Sequence, residues 1–141
     1  MGAGIRAARR EDAAPLARLL GELGYPSSRE QVERRLDRLG EADRLFVAEL
    51  EGDVVGLAGL HVSAALEYDG DAAKVSALVV DERFRRRGVG EALMDALENE
   101  ARALGCVILF LTTAERREDA HAFYRRIGLE ETGRRFAKRL G

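Results

Sequence analysis

The stretch from Ala73 to Leu111 leaves this chain few ways to fold. An apolar, β-rich run ends at Val80 and gives way to a short arginine-rich loop, Asp81 to Arg87. Gly88 and Gly90 follow, and then the period becomes helical: Val89, Leu93, Ala96, Leu97, Ala101 and Leu104 share one face. Gly105 supplies a C-terminal stop, and Val107 to Leu111 reads as a compact buried strand. Strand, helix and strand in this order make a βαβ unit, whose two strands must lie parallel.

The flanks read differently. Ile5 to Ala8 is a short strand, and Asp12 is placed to cap a helix carrying Leu16, Leu19, Leu20 and Leu23. Gly24-Tyr25-Pro26 breaks it, and Ser28 with Gln31 forms a capping-box pattern opening a second helix with Val32, Leu36 and Leu39. Leu45–Leu50 and Val54–Leu66 are β-rich runs joined by the hairpin signal Glu51-Gly52-Asp53. Asp119 to Ile127 reads as a short helix stopped by Gly128, and the tail from Leu129 to Leu140 as two more strands. The expected fold class is therefore α/β, an α+β mixed sheet. It has about seven strands, mostly antiparallel around one parallel βαβ unit, with helices on both faces, in a single domain spanning residues 1–141.

A net charge of −2 argues against a global polyanion-binding surface, so any anion site must be local. All but Lys74 and Lys138 of the 23 basic residues are arginine, so no arginine stands out by identity. The lone cysteine, Cys106, reads as a small core residue and allows no intramolecular disulfide. No stretch approaches the ~18 apolar residues of a membrane span, and the first residues do not resemble a signal peptide. A soluble, cytoplasmic protein without metal or membrane partners is expected.

Glycines at a helix start expose backbone N–H donors at close range, and the helix dipole adds partial positive charge. A Walker loop would need Lys and then Ser or Thr, but Gly90 precedes Glu91 and Ala92. A dinucleotide fingerprint would need glycine at Leu93 and a tighter turn. What remains is Arg85-x-x-Gly88-x-Gly90 after Leu78-x-Val80, which resembles the acyl-CoA signature of the GNAT superfamily of N-acyltransferases. The order of elements resembles that superfamily over nearly the whole chain. So does Ala120-His121-Ala122-Phe123-Tyr124-Arg125-Arg126-Ile127-Gly128-Leu129, which is similar to its second motif.

The resemblance implies acetyl-CoA as cosubstrate and a primary amine as acceptor, that of a small molecule ranked ahead of a protein or peptide amine. The strands ending at Val80 and Leu111 would meet at one end and splay at the other, with the pantetheine arm pairing near Leu78, Val79 and Val80. Backbone groups of Arg85, Arg86, Arg87, Gly88, Val89 and Gly90 would cradle the pyrophosphate, with Arg85 and Arg86 favoured for side-chain contacts. Tyr124 matches the position of the general acid that protonates the leaving thiolate. Relatives often carry a glutamate on the strand before the loop, where this chain has Lys74 and Ser76. Glu22 and Tyr25 fall where an acceptor pocket is often lined. Glu22 and the acidic turn Glu67, Asp69 and Asp71 would suit a cationic amine by charge complementarity. Homodimerisation is implied by the resemblance alone.

Two other classes stand beside this one. A non-catalytic acyl-CoA-binding module would keep the loop without the chemistry; the absent acid favours it and Tyr124 opposes it. Nucleic-acid binding through Arg83–Arg87 lacks an aromatic platform and runs against the negative net charge.

Overall fold

The computed structural model describes residues 2–112, 118–133 and 136–140. Among them, five strands form one sheet in sequential order: β1 (Gly4–Ala7), β2 (Asp43–Leu50), β3 (Asp53–Ala64), β4 (Asp71–Val80) and β5 (Cys106–Phe110). The first three pairings are antiparallel, and β4 with β5 is parallel, as the βαβ pattern requires. The helices are α1 (Ala13–Leu23), α2 (Arg29–Arg38), α3 (Val89–Ala103) and α4 (Glu118–Arg126). None among the described residues is long and apolar enough to cross a membrane.

Each face of the sheet has its own core. The apolar stripe of α3, including Leu93, Met94 and Leu97, packs on Val55, Leu60 and Val75, with Phe123 of α4 and Ile127 just past its end at the margin. On the other face Leu16 and Leu19 of α1 and Val32 of α2 meet Val47, Leu57 and Val79. Each such leucine contributes about 1.5–3 kcal/mol by leaving water. Gly56 lets α3 approach closely: a Cβ there would stand 2.9 Å from Leu93 Cδ1 and 3.3 Å from Val89 Cγ1.

A β-bulge decides which β4 side chains face which core. Gly59 pairs with Ala77 and Leu60 with Val75, so Ser76 is an extra residue in the ladder. Before it, Ala73 and Val75 face α3; after it, Leu78 and Val80 face α3 while Ala77 and Val79 face α1 and α2. If Ser76 were paired in regular alternation rather than bulged, Ala77 and Val79 would turn to the α3 side.

Three sequence expectations are corrected. Five strands are seen among the described residues, not seven: positions 129–133 and 136–140 carry none. This tail is dominated by charge, and Phe136 and Leu140 are both 93% exposed, so it offers no apolar face for a sheet. The strand expected to reach Leu66 stops at Ala64, with Leu66 in solvent. Asp12 does not cap α1 with its side chain. Its carboxylate instead accepts from both terminal nitrogens of Arg6 at 2.9 Å and from the Arg9 N–H at 2.7 Å. The Ser28–Gln31 box forms as expected, with reciprocal bonds of 3.1 and 2.9 Å.

Candidate active site

The parallel pairing of β4 with β5 is short. It runs from Asp71 opposite Cys106 to Lys74 opposite Phe110 and then stops. Among the described residues, Val75 to Val80 therefore has a strand neighbour only on its β3 side. Half of the backbone N–H and C=O groups there face an open edge, and such groups seek a partner. Leu78, Val79 and Val80 all lie on this edge.

The loop that follows is braced from below. Asp81, only 2% exposed, accepts from the Arg83 N–H at 2.9 Å, from Arg83 Nη2 at 3.0 Å and from Arg18 Nη1 at 2.6 Å. Its own N–H continues the β3 ladder to Val55 O at 2.8 Å. Hydrogen bonding from Arg83 first, then from Arg18, holds this carboxyl well below the usual carboxylate range, against burial. Glu22 reaches over from α1 to accept the Glu82 N–H at 2.9 Å. The loop is thus fixed to α1 at two points.

Above the brace the chain turns through two left-handed residues, Arg86 at φ 65° and Gly88 at φ 80°. Gly88 is the N-cap of α3, and the first helical bond runs from the Ala92 N–H to Gly88 O at 3.0 Å. The N–H groups of Val89, Gly90 and Glu91 therefore have no acceptor within the helix. The arginines of the loop are not equivalent. Arg83 is spent on Asp81, and Arg85 bonds Val80 O at 3.2 Å and stands 4.0 Å from Glu22. Arg87 stacks on the Phe84 ring at 5.3 Å. Arg86 and Arg87 have no carboxylate partner among the described residues, whereas Arg85 stands near Glu22.

The second predicted motif comes to the same place. Phe123 of α4 lies against the first turn of α3, so close that a Cβ on Gly90 would stand 3.4 Å from its ring. Tyr124 is the next residue, half-buried, its ring centroid 5.7 Å from that of Phe123. Leu129 N–H bonds Tyr124 O at 3.0 Å and closes the helix end. The fold therefore gathers Leu78–Val80, Arg85–Gly90 and Tyr124 around one end of the sheet.

On the opposite face, a cavity of about 640 Å³ opens between α1, the α1–α2 turn, α2 and the sheet. Leu16, Leu20 and Leu57 form apolar walls, Tyr25 and Arg35 lie at the α1–α2 side, and Ser76 and Ala77 bring β4 into its lining. Tyr25 is among the residues that line this cavity. Glu22 does not line the cavity, being engaged with the loop, and Glu67 and Asp69 sit on an exposed turn away from it. The acidic groups expected to favour a cationic amine are elsewhere. Arg18, the loop's second support, was not singled out from sequence, because nothing in so arginine-rich a chain marks a partner 63 positions away.

Residues 11–129 match the profile of the acetyltransferase (GNAT) family. The chain is 33% identical over 122 residues to an aminoalkylphosphonate N-acetyltransferase of Salmonella typhimurium, covering 86% of this chain and 78% of that protein. It is 32% identical over 127 residues to an amino-acid acetyltransferase of Pseudomonas fluorescens, of whose length it spans only 26%. In architecture it is similar to glucosamine-6-phosphate N-acetyltransferase of Arabidopsis thaliana, with TM-score 0.87 and 22% identity over the full length of both chains.

Proposed function

Because this chain belongs to the GNAT family of acetyltransferases, and so is an acetyl-CoA-dependent acyltransferase, we propose that it acetylates a primary amine of a small molecule by direct attack in a ternary complex. The observation that carries the reading is the open edge of β4 running into a loop with uncommitted N–H groups. An amide-containing pantetheine arm matches an unpaired strand edge, and a pyrophosphate matches a helix start. Leu78, Val79 and Val80 would hold the arm. The backbone of Arg85 to Gly90 would hold the pyrophosphate, with Arg86 and Arg87 as side-chain partners.

Acetyl-CoA, when bound, supplies an acyl group already activated as a thioester. The chain contributes position and protons. A backbone N–H near Val80 would donate to the acyl oxygen, and such a donor acts most strongly where charge develops. Tyr124 is the proposed general acid, its hydroxyl giving a proton to the departing sulfur. Its support is that the preceding residue, Phe123, contacts the first turn of α3. The cavity on the Ser76–Ala77 face is the proposed acceptor site. The names of the aminoalkylphosphonate and amino-acid enzymes support small amines over peptides as acceptors.

Steady-state kinetics of Tyr124→Phe test the assignment. Loss of the acid is expected to lower kcat roughly tenfold or more, with acetyl-CoA affinity by calorimetry retained. An unchanged kcat at saturating substrates would remove Tyr124 from the mechanism, and a folded wild type that fails to bind acetyl-CoA would overturn the site as a whole.

A further inference from the structure

We infer that the acceptor carries an anionic group, a carboxylate or phosphonate, beside its amine, and that Arg35 is the residue that selects it. The inference rests on the acceptor site proposed above. Among the described residues lining that cavity the only charged side chains are Arg35 and Arg139; no carboxylate is present. Arg35 is held without being neutralised. Its Nη1 donates to Ser27 Oγ at 2.7 Å, and no carboxylate partner for it exists among the described residues. Nearby acids on α2 are already engaged: Glu33 and Asp37 both pair with Arg10.

A guanidinium fixed by a neutral hydroxyl keeps several N–H donors for a planar or tetrahedral oxyanion, which it binds in a two-pronged fashion. Leu16, Leu20 and Leu57 line the apolar walls, while Arg35 is exposed at the α2 end, where its remaining donors are open to an anion that enters the cavity. A dication would meet two positive charges and no negative one. The two ends of the cavity also differ: Arg35 lies at the α2 end, and Ser76 and Ala77 at the β4 end, one residue from Leu78. An amino acid or aminophosphonate matches that polarity, with its anion toward α2 and its amine toward the open strand edge.

Initial rates of CoA release would be compared for 3-aminopropionate, 2-aminoethylphosphonate, ethanolamine and 1,3-diaminopropane, with the wild type, Arg35→Gln and Arg38→Gln. Acetyl-CoA affinity is measured in parallel by calorimetry. The expected result is a kcat/KM at least tenfold higher for one or both anionic amines than for ethanolamine, with the diamine poorest. The two anionic arms separate carboxylate from phosphonate. Arg35→Gln is expected to shrink that preference at least tenfold, through KM, while Arg38→Gln, on the same helix but outside the cavity, preserves it. A preference for ethanolamine or the diamine, or an Arg35→Gln variant that keeps the wild-type preference, overturns the inference. So does failure to acetylate either anionic amine; acetyl-CoA binding then tells whether the catalytic reading has fallen too.

Discussion

Replacing Asp81 with asparagine removes one negative charge from beneath two guanidinium groups while keeping the side chain's size. In the native protein this carboxylate is 2% exposed and accepts from Arg18 at 2.6 Å and from Arg83 at 2.9, 3.0 and 3.2 Å. Splitting a fully buried ion pair costs about 3–5 kcal/mol, whereas exposed pairs contribute about 0–1 kcal/mol. Asp81 is buried, but the Arg18 and Arg83 side chains are 43% and 73% exposed and regain water when released. The cost therefore falls between the bounds, at about 2 kcal/mol. An unfolding entropy of about 2.1 cal/mol/K per residue makes each kcal/mol worth about 3 °C for this chain, so Tm should drop by about 7 °C at pH 7.

The pH dependence fixes the cause. The folded carboxyl is held below its ordinary range, chiefly by Arg83, while in the unfolded chain it titrates near about 3.9. The unfolded state then takes up the proton first on acidification, so the stabilisation is complete above about pH 5 and is lost as pH falls below about 4 toward the folded pKa. The Tm difference between wild type and Asp81→Asn, followed by circular dichroism, should be constant from about pH 7 to pH 5 and shrink at lower pH. A difference under about 2 °C at pH 7, or one that does not shrink in acid, would refute the idea that this charge braces the loop.

Two further substitutions probe the same end of the molecule. Gly88→Glu forces a side chain onto a residue at φ 80° and sets a negative charge where a pyrophosphate is proposed; acetyl-CoA affinity by calorimetry should fall at least tenfold, and retained binding would count against the loop. Gly56→Val inserts three carbons where a single Cβ already meets Leu93 at 2.9 Å; overpacking should cost about 1–3 kcal/mol in chemical denaturation, and a neutral result would show that α3 can retreat.

The elements that were legible in sequence carry their own signal. Val89, Leu93, Leu97 and Ala101 announce α3, and Ser28 with Gln31 announces α2, because each pattern is local and uncontested. Arg85-x-x-Gly88-x-Gly90 and Phe123-Tyr124 were legible by resemblance, and the fold brings them to one end of the sheet. What was not legible depends on distant partners. Asp12 looks like a cap until Arg6 competes for it, and Glu22 looks like a pocket residue until the Glu82 N–H claims it. The roles of Arg18 and Arg35 are set by Asp81 and Ser27, which the sequence places far from one and unremarkably near the other. The tail was expected to hold two strands, but Phe136 and Leu140 are exposed, and a segment with no surface to cover does not make a sheet.

The extra residue at Ser76 has a consequence for how β4 tolerates change in length. A strand with regular pairing counts its residues by parity, and here the count is corrected once, midway, by a position that pairs with nothing. Deleting Ser76 would close the bulge and leave Ala77 and Val79 still toward α1 and Leu78 and Val80 still toward α3, whereas pairing Ser76 regularly opposite Gly59 would turn each of them to the other face and set both cores against the wrong surfaces. Substitutions at this position are absorbed by a cavity lining, and loss of the residue is absorbed by closing the bulge. Among homologous sequences, β4 should therefore tolerate both substitution and loss at Ser76 while keeping the spacing from Ala77 to Gly88 fixed.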